Sequence, residues 1–240
     1  MDVAARSRRA SDRLTALSRQ LLDRPTPPLR SDLAINNSSI NNGHETSPRA
    51  GGSSTGMVRA AVLVCLFEGD NGDLRVILIK RASTLSSHAG EVALPGGKRE
   101  EGDANDVETA LREAKEEIGL DASLLQVVTL LHPFVSVRGI SVVPVVALLL
   151  DRKTYNPVPD PTEVELILDA PLEMFLKDKN RREEELQVRG HRCLLHFFDY
   201  ETEDEKFVIF ALTAAILTRT ASVVYQKEPE FVVRSPKLWH

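Results

Sequence analysis

Cysteine is scarce in this 240-residue chain: Cys65 and Cys193 are the only two. Two dispersed thiols supply neither a disulfide framework nor a zinc site. Both lie in apolar runs, so buried free thiols in a reducing compartment are expected. An excess of positive charge is also lacking. The net charge of −5 argues against nucleic acid as the main partner. No apolar run is long enough for a membrane. Ile140–Leu150 is broken by Pro144 and falls short of the roughly 20 residues a spanning helix needs. No secretory h-region follows the N-terminus, the last residues are not a peroxisomal address, and no internal repeat is visible. What remains is a chain with 42% apolar residues, enough for a real core. Its length allows one or two domains, with one preferred.

Four segments differ in kind. Residues 1–24 place Leu14, Leu17 and Leu21 at helical spacing among Arg6, Arg8, Arg9, Arg13 and Arg19. This predicts an amphipathic N-terminal helix or a targeting segment. Asp2, Asp12 and Asp23 weigh against targeting, so a cytoplasmic location is expected, with a mitochondrial one as the alternative. In 25–56, Ser, Asn, Gly and Pro fill 18 of 32 positions and no aromatic occurs. Such a stretch cannot bury enough apolar surface to offset ordering, so residues 25–57 read as a disordered linker. Residues 58–226 read as one folded domain, and 227–240 as a C-terminal tail.

Within the domain, Ala60–Phe67 and Leu74–Lys80 flank a Gly-containing turn and predict a hairpin. Arg81–Ala89 reads as a Ser-rich loop, and Val92–Leu94 as a short strand leading into a Gly96-Gly97 loop. Gln126–Leu131 reads as strand. Pro144 makes Ile140–Leu150 an edge or bulged strand. Tyr155–Thr162 carries three prolines and reads as a loop, while Glu163 and Glu165 alternate as along a strand face. Pro171–Lys177 predicts a short helix, and Arg181–Glu185 a solvated turn. Cys193–Tyr200 and Lys206–Ile209 predict strands, and Ala211–Tyr225 a closing helix. Strands outnumber helices, which come singly. This pattern predicts an α/β or α+β sandwich with a mixed sheet between helices.

The informative stretch is Leu94–Leu120. It opens on Pro95-Gly96-Gly97, where glycine permits close backbone approach to a ligand. It closes on a helix, Val107–Ile118, ended by Gly119. Glu113, Glu116 and Glu117 share one helix face. Glu113 and Glu117 form a like-charge i,i+4 pair, costing an isolated helix about 0.2–0.5 kcal/mol. Arg112, four residues before Glu116, offsets part of that. A divalent cation would offset more, since Mg²⁺ takes hard oxygen ligands and is shared among carboxylates, waters and substrate phosphates. A plain solvated acidic face is the alternative for the helix taken alone.

Together these residues resemble the signature of the Nudix hydrolases. Gly97 stands at its first position, Arg112-Glu113 and Glu116-Glu117 at its R-E and E-E pairs, and Gly119 and Leu120 at its close. Asp103 stands where a glutamate is expected, and eight residues rather than seven separate it from Arg112. Upstream, Arg81, Gly90, Val92 and Pro95-Gly96-Gly97 are similar to a second signature carried by coenzyme A diphosphatases, closest to those of plants. Ser86 replaces an arginine of that signature. The resemblance implies a Nudix-like mixed sheet between helices. It implies Mg²⁺ or Mn²⁺ held by Glu113 and Glu117, with Glu116 completing the metal site or acting as general base. Arg112 orients Glu116, while Arg81, His88, Gly90, Gly96 and Gly97 form the substrate side. The implied reaction is hydrolysis of coenzyme A or its acyl derivatives to adenosine 3′,5′-bisphosphate and (acyl-)4′-phosphopantetheine. A broader nucleotide diphosphatase acting on NADH, ADP-ribose or nucleotide sugars is the first alternative. A non-catalytic nucleotide-binding module is the second. The expected partner is a small molecule, with neither nucleic acid nor membrane; a homo-oligomer is compatible with the sequence.

Overall fold

The computed structural model describes residues 3–22, 57–136, 138–188 and 191–233. Its frame is a mixed sheet built around β1 (Arg59–Glu68). β1 turns at Glu68–Asp73 into β2 (Leu74–Arg81), pairing antiparallel through Leu66–Val76. On its other side β1 runs parallel to β7 (Ser141–Leu149), from Arg59–Ser141 to Leu66–Leu148. β5 (Leu125–Leu130) and the short β6 (Phe134–Val135) both pair antiparallel with β7. β3 (Val92–Ala93) and β8 (Val164–Pro171) pair with β2, and β4 (Gly96–Lys98) with β1. A second sheet of three strands, β9 (Arg181–Val188), β10 (His191–Glu201) and β11 (Lys206–Phe210), leads into α3 (Ala211–Tyr225).

Alternation along β1 divides the core. Ala61, Leu63, Cys65 and Phe67 face α2 (Asp106–Ile118), meeting Ala110, Ala114 and Ile118. Ala60, Val64 and Leu66 face the opposite layer, with α1 (Val3–Leu22), α3 and Phe198, Phe207 and Ile209 of the small sheet. The main sheet therefore lies between helical layers, as expected of a strand that buries both faces. Leu14, Leu17 and Leu21 of α1 are all buried. Residues 25–56, read as linker, lie outside the described residues. After α3 the chain stays on the domain: Glu230 donates its amide to the Leu176 carbonyl, and the Phe231 ring packs 4.8 Å from that of His196. Cys65 is a buried free thiol whose pKa burial pushes up to about 12; the Cys193 side chain is not among those described.

Three sequence expectations need correction. Pro144 is not on an edge, because β7 runs between β1 and β5; of the two expectations the bulged one fits, since the β5–β7 register shifts between Val127 and Thr129. The Pro144 carbonyl accepts from Leu131 N on the β5 side. Its missing N–H therefore points toward the break between β5 and β6, where no ladder bond is lost. Arg181–Glu185 is not a turn but the start of β9, paired with Phe198–Leu194 of β10. Gly96-Gly97 is not a loop but part of β4, with Val62–Gly96 and Ala61–Gly97 in register.

Candidate active site

α2 begins where Asn105 caps it, its side chain accepting from Glu108 N, while the Glu108 carboxylate takes the Ala104 amide at 2.9 Å. This reciprocal capping fixes the first turn. Gly119, at φ 69°, closes the helix in the left-handed conformation. The Pro-rich segment then seals its carboxyl end: Tyr155 Oη and Val158 N reach the Ile118 carbonyl at 2.8 and 3.1 Å, and Asp160 N reaches that of Glu117 at 2.9 Å.

α2 lies against β1 and β4, and this contact aims its carboxylates. Glu117 is 2% exposed. Its Oε2 accepts from Gly96 N at 2.9 Å, and its Oε1 lies 3.6 Å from Arg81 Nη1. Burial, with the Glu113 and Glu163 carboxylates, raises its pKa to about 7 against the opposing pull of the Gly96 amide and Arg81. Glu113, one turn earlier, is raised by burial and by Glu116 and Glu163, with Arg112 opposing. Gly97 has no Cβ because the space is taken: a methyl there would land on the Glu113 carboxyl group. A methyl on Gly96, at φ 150°, would strike the Ala61 carbonyl and Val62 Cα. The close approach of α2 to β4 thus depends on both glycines.

Arg112 is a hub. Its Nε and Nη2 grip the two Asp103 oxygens at 3.0 Å each, Nη1 reaches Glu116 at 2.8 Å, and Nη2 reaches Glu113 at 3.0 Å. Bidentate pairing of this kind sets geometry as well as charge. Asp103 also accepts from Glu100 N and from Thr109 Oγ1, both at 2.9 Å. Its pKa is held well below the ordinary range, chiefly by Arg112. The loop 98–105 is thereby tied to α2.

The structure thus brings together Glu113, Glu117, Gly96, Gly97 and Arg81, with Arg112 and Glu116 adjoining. Glu116 turns outward to Arg112, its side chain 59% exposed. His88 stands apart, while Gly90 joins the site only through its backbone, its amide donating to the Arg81 carbonyl at 3.1 Å. The exposed His88 ring contacts the Glu91 carboxylate at 2.8 Å, and Gly90 has open space where a side chain would be. Two residues were missed from sequence. Asp103 acts as a clamp, and its presence in the motif was the available signal. Glu163, just before β8, acts on both Glu113 and Glu117. Only its alternation with Glu165 hinted at a role.

Among the described residues no three His, Cys, Asp or Glu side chains form a ready-made metal cage. The donors present nevertheless fit a hard divalent cation. Two carboxylates stack one turn apart, pressed into a site that disfavours their charge, with Arg81 the nearby cation on Glu117. Mg²⁺ keeps several waters and takes the rest from substrate, so two protein carboxylates suffice. Mn²⁺ suits the same oxygens.

The NUDIX domain profile matches residues 57–187. The chain belongs to this family. It is 62% identical over 180 residues to Arabidopsis thaliana Nudix hydrolase 22, chloroplastic, and 59% identical over 179 residues to Nudix hydrolase 15, mitochondrial, of the same plant. Each alignment takes in 75% of this chain but only 60% and 63% of those relatives, so this Nudix chain matches under two thirds of their length. The mouse peroxisomal coenzyme A diphosphatase NUDT7 is 31% identical over 175 residues, 72% of this chain and 73% of its own. No helix among the described residues is long and apolar enough to cross a membrane.

Proposed function

We propose that this Nudix chain hydrolyses the diphosphate bond of coenzyme A and its acyl derivatives, giving adenosine 3′,5′-bisphosphate and (acyl-)4′-phosphopantetheine. The observation that carries the reading is the pairing of Glu113 and Glu117 on α2 over the Gly96-Gly97 strand. These two carboxylates would hold the divalent cation. When bound, that cation neutralises diphosphate oxygens and acidifies a water to make a nucleophile. Arg81 lies against Glu117 and faces the incoming phosphates with its remaining donors. Arg112 positions Glu113 and Glu116 and locks the 98–105 loop. Glu116, on α2, and Glu163, from the chain leading into β8, are the two carboxylates beside the pair that are available to accept the proton of the attacking water.

The substrate is read from Arg81, Gly90, Val92 and Pro95-Gly96-Gly97, and the name of the mouse relative supports it. A broader nucleotide diphosphatase is the second reading. It is favoured by Ser86 at an arginine position and by the engagement of Arg81 with Glu117.

The test is product analysis with Mg²⁺ or Mn²⁺, offering coenzyme A, NADH and ADP-ribose at equal concentration. Adenosine 3′,5′-bisphosphate should form fastest. AMP released faster from NADH or ADP-ribose would discard the coenzyme A reading and keep the metal chemistry. Glu117→Gln should abolish turnover and weaken Mn²⁺ binding in calorimetry with an unchanged melting temperature. Wild-type activity in that variant would sink the metal assignment.

A further inference from the structure

Coenzyme A carries a third phosphate on its ribose, far from the diphosphate bond that is cut. None of the residues around Glu113 and Glu117 accounts for that group. Arg81, Arg112 and Lys80 already face carboxylates. Lys80 pairs with Glu165 at 2.9 Å and with Glu205 at 2.5 Å.

A cavity of about 260 Å³ lies on the α2 side of the main sheet. Its walls are apolar and partly flat: Ile77 and Ile167 from β2 and β8, Tyr155, and Pro157. One loop runs from it to the carboxylate site. Tyr155 and Pro157 wall the cavity, and three residues past Pro157 the Asp160 amide holds the Glu117 carbonyl. Glu163, the next acid, acts on Glu117 itself. On the β8 side Glu165 lines the cavity, and the Ala82 amide bonds the Glu163 carbonyl at 2.8 Å beside Arg81.

The charges on the cavity lining are unequal in their partners. Asp169 is paired with Arg75, and Glu165 with Lys80 and Ser83. Arg152 meets no carboxylate among the described residues. Its Nη1 donates to the Tyr155 carbonyl at 3.1 Å, and its guanidinium lies over the Phe67 and Tyr155 rings at 5.5 and 5.1 Å. Stacking on rings fixes the guanidinium plane and leaves donors free, the arrangement that suits a phosphate. A largely apolar cavity whose two carboxylates, Glu165 and Asp169, are already paired and whose one arginine is not favours a flat apolar group that bears an anion.

We propose that this cavity takes the adenosine end of the substrate, with Arg152 binding the 3′-phosphate. The proposal rests on the coenzyme A reading above. Arg152 is then a specificity residue outside the catalytic groups.

The test compares coenzyme A with dephospho-coenzyme A, which lacks only the 3′-phosphate, in the wild-type chain, Arg152→Gln and Arg152→Lys. Arg152→Gln should lower kcat/KM for coenzyme A about tenfold to a hundredfold, through KM, the range set by one charged hydrogen-bonded contact. It should leave dephospho-coenzyme A within about twofold, as expected for a contact that substrate never makes. Arg152→Lys should recover part of the loss. Equal losses on both substrates, or none, would overturn the assignment, and the ratio within one variant is insensitive to any general weakening of the fold. Calorimetry on the metal-free full chain needs no turnover. Adenosine 3′,5′-bisphosphate should bind more tightly than AMP in the wild type, and Arg152→Gln should erase the difference; equal binding in the wild type would overturn the assignment. If the wild-type chain cleaves neither compound, the coenzyme A reading itself falls and this proposal with it, a result visible without any variant.

Discussion

Gly96 and Gly97 are neighbours in one short strand, yet alanine at the two positions should do opposite things. A Cβ on Gly97 falls within 3.0 Å of Cδ and both oxygens of Glu113, its three nearest atoms. Those atoms end a flexible side chain, so the carboxylate swings away at little cost to the fold, about 1 kcal/mol at the low end of overpacking. For a domain of this size that is about 2–4 °C in Tm. The same swing breaks the Arg112–Glu113 contact and moves an oxygen of the proposed metal site by an ångström or more, which should cost about 10²-fold in turnover. A Cβ on Gly96 meets backbone instead, the Ala61 carbonyl and Val62 Cα, at a φ of 150° that alanine rarely adopts. Strain of about 1–3 kcal/mol adds to a clash of about 1–3 kcal/mol that no rotamer relieves. Gly97→Ala should therefore melt near wild type and lose turnover and Mn²⁺ affinity; Gly96→Ala should melt about 4–24 °C lower. Thermal melts and steady-state turnover on the same preparations decide it. Wild-type turnover in Gly97→Ala, or equal melting losses in the two variants, would refute the close packing of α2 on β4.

Three further outcomes follow from the same geometry. Asp103 has a folded pKa below its unfolded value, so its ion pair is fully stabilising above the unfolded pKa of ~3.9 and is lost progressively as pH falls from there through the folded pKa. The melting gap between wild type and Asp103→Asn should be full above about pH 5, begin to narrow below about pH 4 and close only as pH falls through the lower folded pKa; a gap independent of pH would show that Asp103 acts only by shape. Leu21 of α1 is 1% exposed, so Leu21→Ala should cost about 2–4 kcal/mol in denaturant unfolding with kcat unchanged; no cost would mean that α1 is not part of the domain in solution. Of Glu116→Gln and Glu163→Gln, the variant that removes the proton acceptor should lose about 10²–10⁴-fold in kcat and its rising pH limb, and the other should retain both; retention in both variants would exclude each as the base.

How much of this was legible in the sequence depended on range. α2 was legible because its signals are local: carboxylates at i and i+4 and a stop at Gly119. The mixed sheet was legible in β1, β2 and β7, where apolar runs bury both faces. β9 was not, because Arg181–Glu185 has no apolar period; it is a strand through its backbone pairing with β10, which charge does not forbid. Pro144 misled for a related reason: the rule against proline inside a sheet concerns the side its nitrogen faces, and that side is a gap here. Glu163 was hidden by distance along the chain, since its effect on Glu117 exists only once β8 lies beside β2. Asp103 shows how a departure from a motif is read once the fold is known. Asp is shorter than Glu by one methylene, and one extra residue separates it from Arg112. Its carboxylate still meets both the Nε and Nη2 of that arginine while taking the Glu100 amide and the Thr109 hydroxyl. Through that grip on Arg112 the loop helps to fix the aim of Glu113 at the space beside Gly97.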